Sequence, residues 1–405
     1  MRMVCSACSH EANPRTLGLC PWCGGLLQPR YSDEAFNQLR RVQPGPGLDR
    51  YRAVLPAQTA LPFLGEGDTP LIHSRRIGPA LGLPYLYFKY EGRNPTGAFK
   101  DRAASLAIAL ALESGAKGLL TASSGNAAAA LSAYSAAAGL SCLILLEPGN
   151  PPAKVRQALA TGATVLPVEG LFAHGPDELS ALLVQVAARL DYYLAFVWAP
   201  VNPCLLEGLK TIAYEIVARL PGAPDCLVCP VGGGDLLAAQ WRGYCDLSRA
   251  ARIDALPRLI GVQSVSAAPL LNAFENQAAH VIPLDHAHSQ ISGINVAFTG
   301  DHALQAVYDS KGAVAGVTDE EIFAMQRRLG MEEGLWVEPA SAAPVAALGG
   351  LLARGAIHAD EWIVCLLTGA GFKDSRLAEA EAAELNRRAA LPFDAEAIVN
   401  EAAHK

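Results

Sequence analysis

The segment Glu91-Gly92-Arg93-Asn94-Pro95-Thr96-Gly97-Ala98-Phe99-Lys100-Asp101-Arg102 reads as a turn opening a helix that runs to Gly115, with Lys100 in its first turn. A lysine amine condenses with an aldehyde only after it has lost its proton. Burial and the positive end of a helix dipole both favour the neutral amine, so covalent chemistry at nitrogen is the reading this position invites. The plainer alternative is a surface lysine paired with Asp101 or Glu91.

Three further loops shift the balance toward chemistry. Thr121-Ala122-Ser123-Ser124-Gly125-Asn126 follows a short strand and opens an alanine-rich helix, so its amides and hydroxyls can receive a carboxylate. Pro230-Val231-Gly232-Gly233-Gly234-Asp235 stands between a strand and a helix, where consecutive glycine amides can converge on a phosphate. Alone, that run is also an ordinary strand-to-helix turn, and the Asp235 carboxylate repels a phosphate unless it points away. Leu367-Thr368-Gly369-Ala370-Gly371-Phe372-Lys373-Asp374 closes the last apolar run with a hydroxyl and a second lysine.

Four of the ten cysteines form Cys5-x2-Cys8 and Cys20-x2-Cys23, two knuckles with eleven residues between them. This spacing can present four thiolates to one tetrahedral Zn2+, and a fully ligated ion of that kind is structural rather than catalytic. Two disulfides or a redox pair are the alternatives; a reducing compartment opposes the first, and the lack of a βαβ context opposes the second. Cys226 and Cys229 lie in a strand-like run, where residues three apart face opposite ways, and read as buried structural thiols. His286 and His288 show no third ligand and read as polar loop residues.

The elements that must position these groups follow a clear rhythm. Short runs rich in Val, Ile and Leu at 85–90, 118–122, 141–147, 164–168, 226–230, 259–263 and 362–367 alternate with helical stretches at 98–114, 126–138, 153–160, 176–190, 206–219, 236–244, 319–329 and 342–354. Runs without polar alternation fit strands buried on both faces, hence a mostly parallel α/β sheet with its chemistry in the loops at the strand ends. With 405 residues, 51% of them hydrophobic, the chain is long enough for two or three domains. A net charge of −7 and the lack of a Lys/Arg cluster argue against a nucleic-acid partner. Residues 127–146 are mostly Ala and Ser, broken by Gly139, and read as a buried helix and strand rather than a membrane span. No secretory signal is read at Met1-Arg2-Met3-Val4-Cys5, so secretion is not expected.

Taken in order, the loops resemble the fold-type II pyridoxal-5'-phosphate (PLP) enzymes, most closely the threonine synthases, over about residues 61 to 376. Asn94 to Arg102 looks like the family's cofactor-lysine motif, which implies Lys100 as the Schiff-base residue. Ser123-Ser124-Gly125-Asn126 looks like its asparagine loop, implying that Asn126 contacts the cofactor ring oxygen while Ser123, Ser124 and Gly125 hold the substrate carboxylate. Val231, Gly232, Gly233, Gly234 and Asp235 match its phosphate cup in position. Thr368-Gly369-x-Gly371-x-Lys373-Asp374 looks like its C-terminal motif, implying that Thr368 bonds the pyridine nitrogen and leaving Lys373 for a negatively charged leaving group. Glu338-Pro339-Ala340-Ser341-Ala342 and Asn202-Pro203-x4-Glu207-Gly208-x-Lys210-Thr211 add to the match. Some threonine synthases and the related cysteate synthases also carry a cysteine-rich head.

The resemblance implies two doubly wound, mostly parallel sheet domains with the active site between them, plus a small N-terminal zinc ribbon. The boundaries expected are 1–30 for the ribbon, 31–60 for a linker, 61–115 with 205–385 for the large PLP-binding domain, 116–204 for the small domain and 386–405 for a tail. It also implies a cytoplasmic homodimer acting on a small amino acid, with no nucleic-acid or membrane partner. The activity expected is elimination or replacement at Cβ or Cγ, as in O-phosphohomoserine to threonine, with Lys100 also the general base. The sequence departs from the family where an asparagine and an arginine lie near the substrate phosphate: Ala199 and Leu205 stand there, and the 170–175 loop carries only His174 as a basic residue. The alternatives are β-replacement on O-phosphoserine or serine, as in cysteate synthases, and threonine or serine dehydration. A non-catalytic ribbon module on a degenerate scaffold is opposed by Lys100, Asn126 and Thr368. A nucleotide-binding protein is opposed by the lack of both Gly-x-Gly-x-x-Gly spacing and a P-loop lysine.

Overall fold

The computed structural model describes every residue except 14–15, 17, 43–44, 124, 150–151, 173–174, 386–393, 397–398, 400–401 and 403–405. Met1–Lys373 form one compact unit and Asp374–Lys405 a second. In the second, a helix spans Arg376–Leu385, with Ser375 bonded to Glu379 and Arg376 paired with Asp374.

The strands of the first unit are β1 (Arg2–Cys5), β2 (Glu11–Ala12), β3 (Leu27–Arg30), β4 (Leu71–His73), β5 (Leu86–Tyr90), β6 (Gly118–Ala122), β7 (Ser141–Leu146), β8 (Thr164–Pro167), β9 (Tyr192–Leu194), β10 (Cys226–Pro230), β11 (Arg258–Ser264), β12 (Ala313–Val317) and β13 (Ile363–Leu367). They make three sheets: an antiparallel β2-β1-β3, a β8-β7-β6-β9, and a β12-β11-β10-β13-β5-β4. Every pairing in the latter two is parallel except that of the edge strand β4 with β5.

Burial on both faces explains the uninterrupted apolar runs. In β10, Leu227 and Cys229 pack into one hydrophobic cluster and Cys226 and Val228 into another, as the two-residue period of a strand requires. β13 divides the same way, Val364 and Leu366 against Ile363, Cys365 and Leu367. In the four-stranded sheet, Cys142 and Ile144 of β7 join the first cluster, while Leu143 and Leu145 face a third.

The helices Lys100–Ser114, Asn126–Ala138 and Asp235–Arg249 start just beyond the carboxyl ends of β5, β6 and β10. Parallel strands thereby bring the lysine turn, the serine–asparagine loop and the glycine turn to strand ends, where α/β folds build their sites. No helix among the described residues is long and apolar enough to cross a membrane.

Candidate active site

Lys100 opens its helix at the first position, after Phe99, and its amine lies 4.9 Å from the centre of the Phe99 ring. Among the described residues it has no hydrogen bond or ion pair. Desolvation holds its pKa below the usual lysine value, and the Asp235 carboxylate opposes that shift. The turn before it is stapled to the end of β13: Phe99 N–H donates to the Thr368 carbonyl (3.0 Å), and Ala370 N–H to the Gly97 carbonyl (2.8 Å). The same segment is tied to a third, since Glu338 N–H donates to the Gly369 carbonyl (3.0 Å) and Gly369 N–H to the Ser341 hydroxyl (2.9 Å). Lys100 and Thr368 are thus held in one frame.

Thr368 is buried; its hydroxyl donates to a Glu338 carboxylate oxygen at 3.0 Å and lies 3.0 Å from the Ser341 hydroxyl. Asn126 starts its own helix and donates to both oxygens of Glu338, at 3.2 and 2.9 Å. The two side chains therefore converge on one carboxylate. Ser123 is half-buried; its hydroxyl accepts from Gly125 N–H at 3.2 Å, and its own N–H donates to the Leu145 carbonyl. Ser124 and His174 lie outside the described residues.

The glycine turn faces its amides away from its carbonyls. The Gly232 carbonyl accepts from the Thr299 hydroxyl (2.7 Å) and the Gly233 carbonyl from Gly300 N–H (3.0 Å). The amides of Gly232, Gly233 and Gly234 donate to no described residue. Gly234 has φ +96°, and a Cβ there would meet the Ala303 methyl at 2.5 Å, so only glycine fits. Val231 is buried behind the turn, its N–H on the Val262 carbonyl. The Asp235 carboxylate turns sideways, accepting from Ala199 N–H at 2.7 Å and lying 3.3 Å from His302 Nε2. One oxygen thus meets a backbone donor, while the other lies 3.4 Å from where a Cβ on Gly233 would sit.

Lys373 donates to the Thr96 carbonyl (3.0 Å) and to the Gln157 side chain, and burial lowers its pKa against the pull of Glu338 and Asp101. Ala199 and Leu205 are both wholly buried. Glu338 entered the sequence reading only as part of a matching segment; its clearest local signal is Pro339, which fixes the start of the Pro339–Ala346 helix and sets Glu338 at its cap.

At the end of β1 and in the turns beside the three-stranded sheet, the sulfurs of Cys5, Cys8, Cys20 and Cys23 all lie within 4.8 Å of one another, with Cys5 to Cys23 at 3.5 Å and Cys8 to Cys20 at 3.7 Å. Ala7 N–H and Gly25 N–H donate to the Cys5 and Cys23 sulfurs at 3.4 Å. Tetrahedral Zn–S bonds of about 2.3 Å require S to S edges of about 3.8 Å, against about 2.05 Å in a disulfide. The spacing fits a shared ion. The His286 and His288 rings lie tilted at 53° with centroids 5.9 Å apart, outside any described group of three ligands.

A desolvated lysine that feels Asp235, and a turn of three glycine amides without described partners at the carboxyl end of a parallel strand, fit the arrangement of a fold-type II PLP enzyme. A model of the pyridoxal-phosphate dependent enzyme family matches residues 62–369. The chain is 38% identical over 364 residues to a threonine synthase of Methanocaldococcus jannaschii, covering 87% of this chain and 88% of that one. It is 36% identical to a threonine synthase of Methanosarcina acetivorans over 92% of each. Among solved structures, maize serine racemase superposes with a TM-score of 0.66 at 23% identity, over 78% of this chain and 92% of that one, a likeness of fold. The chain belongs to the pyridoxal-phosphate dependent enzyme family, as a threonine synthase-like member.

Proposed function

We propose that the chain catalyses elimination and replacement at Cβ or Cγ of a small amino acid, with O-phosphohomoserine to threonine as the first reading. One observation carries it: Lys100 opens its helix without a hydrogen-bond or ion-pair partner among the described residues, in a turn tied to Thr368, and desolvation lowers its pKa against the pull of the Asp235 carboxylate that follows the glycine turn. When bound, PLP supplies the electron sink that makes the substrate α-proton acidic. Lys100 would hold the cofactor aldehyde and take that proton as general base at its Nζ. Val231 to Asp235 would cradle the cofactor phosphate through the turn amides and helix N-terminus. Ser123, Ser124 and Gly125 would hold the substrate carboxylate. Asn126 and Thr368 would bond the cofactor ring, and Lys373 would serve the leaving group.

Ala199 and Leu205, at the places where the resemblance leads one to expect an asparagine and an arginine, favour a second reading. Apolar side chains supply no charge-assisted bonds to a dianion, which suits a smaller leaving group, as in dehydration of serine or threonine. The relatives favour the first reading and these two residues the second, so a substrate panel decides. Purified protein with added PLP should show a band near about 410–420 nm, and borohydride reduction should fix the label on Lys100. Threonine and inorganic phosphate from O-phosphohomoserine support the first reading; pyruvate or 2-oxobutyrate from serine or threonine, without that activity, supports the second. Lys100→Ala should lower turnover by at least about 10²–10⁴-fold, and a variant that lost no activity would overturn the assignment.

We also propose that Cys5, Cys8, Cys20 and Cys23 hold a structural Zn2+, supported by their sulfur spacing. Residues 116–204 are proposed as a small domain, a reading supported by a four-stranded sheet drawn wholly from 118–194. A cytoplasmic homodimer completes the proposal, by family resemblance.

A further inference from the structure

Trp198 is 8% exposed, and its indole nitrogen is buried with no hydrogen-bond partner among the described residues. An indole N–H can only donate, so burying it without an acceptor costs free energy that an acceptor arriving at the site would return. The pyrrole edge borders the glycine turn: a Cβ built on Gly233 would lie 3.6 Å from Trp198 Cδ1 and 4.0 Å from Nε1.

Packing fixes that edge in place. Phe298 meets the indole edge-on at 5.1 Å and Phe196 at 6.5 Å. The Trp198 carbonyl accepts from Val201 and Asn202, each at 2.9 Å. The next residue is clipped to the far side of the turn, because Ala199 N–H donates to Asp235 at 2.7 Å. The carboxylate that looked misplaced beside an anion thus sets the register between Trp198 and the glycines. Three turn amides without described partners lead into the N-terminus of the fifteen-residue Asp235–Arg249 helix, and one indole N–H borders that turn.

We propose that Trp198 donates its indole N–H to the phosphate of PLP, making it a cofactor-binding residue, with Asp235 as the residue that positions it. This rests on the reading that the chain binds PLP at the turn. It predicts a side-chain donor that serves the phosphate and nothing else on the cofactor.

The test compares PLP with pyridoxal, which lacks the phosphate, by titrating apoprotein and following the visible band. Trp198→Phe keeps the aromatic packing and removes the donor. It should weaken PLP by about tenfold and leave pyridoxal affinity unchanged, which is the loss of one hydrogen bond. In wild-type protein labelled with 15N-tryptophan, one of five indole signals should move downfield with PLP and stay put with pyridoxal. That signal is assigned by its loss in Trp198→Phe or, should the variant not fold, by replacing Trp22, Trp241, Trp336 and Trp362 in turn. Equal effects on PLP and pyridoxal, or a Trp198 signal indifferent to PLP, overturn this proposal alone. Wild-type protein that binds neither molecule sinks the cofactor reading and this one with it.

Discussion

Lys100 and Asp101 are chain neighbours on which the same burial acts with opposite sign. Desolvation disfavours charge, so it lowers the lysine's pKa and raises the aspartate's to about 7. Thr96 offsets part of the aspartate shift, donating N–H (3.1 Å) and hydroxyl (3.0 Å) to one oxygen, while the other oxygen is buried without a hydrogen-bond partner among the described residues. The linkage has a definite sign. Asp101 binds its proton more tightly folded than unfolded, where its pKa is about 3.9; the penalty is absent below that value and complete above about 7. Asp101→Asn keeps an acceptor for Thr96 and cannot ionise. The stability of the variant relative to wild type should therefore rise by on the order of 3 kcal/mol between pH 4 and pH 8. Urea unfolding at both pH values measures it, and other titrating groups cancel in the difference. A difference that stays flat with pH would mean Asp101 is charged at no such cost.

At the scale of elements, the cysteine ribbon is braced against the active-site segment rather than hung from it. Met3, Cys5, Cys20 and Leu27 pack with Cys204, and Gly18 N–H donates to the Val201 carbonyl at 2.9 Å, three residues beyond Trp198. Removing the proposed zinc with a chelator, or making Cys20→Ser, should loosen that contact before the core. Amide exchange at Gly18 and residues 201–204 should speed up by at least about tenfold while β10 and β13 keep their protection, which mass spectrometry of exchanged peptides resolves. Uniform loss across the sheets would make the ribbon part of the global fold instead. The legibility of the elements follows from the same packing. β6, β10 and the Asn126–Ala138 helix could be bounded to the residue from composition, because burial on both faces leaves an unbroken apolar run. The three-residue β4 and β9 escape notice, too short to show a period. β12 hides its run behind Gly316, and the stretch read as one helix over 206–219 divides at Lys210 into Leu206–Leu209 and Thr211–Val217. At the site, Lys100 and Gly232 to Gly234 could be found by residue type, whereas Trp198 and Glu338 owe their places to contacts across 35 and 212 residues of chain, to Gly233 and Asn126.

Across the whole first unit, the lysine turn is anchored by a buried charge network that joins β5, the Lys100–Ser114 helix and the Thr211–Val217 helix. Arg102 donates to Glu91 at 2.7 and 2.9 Å and to both oxygens of Glu215 at 2.7 Å, and Lys89 donates to Glu215 at 2.6 Å. Thr69 adds its hydroxyl to Glu91 (2.6 Å), and Asp68 N–H donates to Glu215 (2.8 Å). Lys89, Arg102, Glu91 and Glu215 are all buried, and Arg50 adds a third cation 3.6 Å from Glu215, so removing one carboxylate strands positive charge inside the protein. Glu215→Gln should cost about 3–5 kcal/mol of unfolding free energy, where breaking an exposed pair such as Lys117 with Asp191 should cost little, because solvent screens it. The pH dependence carries the same signature. Desolvation would raise the Glu215 pKa, but Arg102 and Lys89 together hold it well below the usual carboxylate range. Its contribution is therefore complete above the unfolded value of about 4.3 and fades as the pH falls below that. Wild type and Glu215→Gln should converge in stability toward acid and diverge by pH 7, the reverse of the trend at Asp101. Denaturant melts of the two proteins at pH 3 and pH 7 measure both ends, and a pH-independent gap would reduce Glu215 to a packing role. Because Arg102 lies two residues beyond Lys100, the variant's loss should reach the cofactor band as well, through a lysine turn no longer fixed from below.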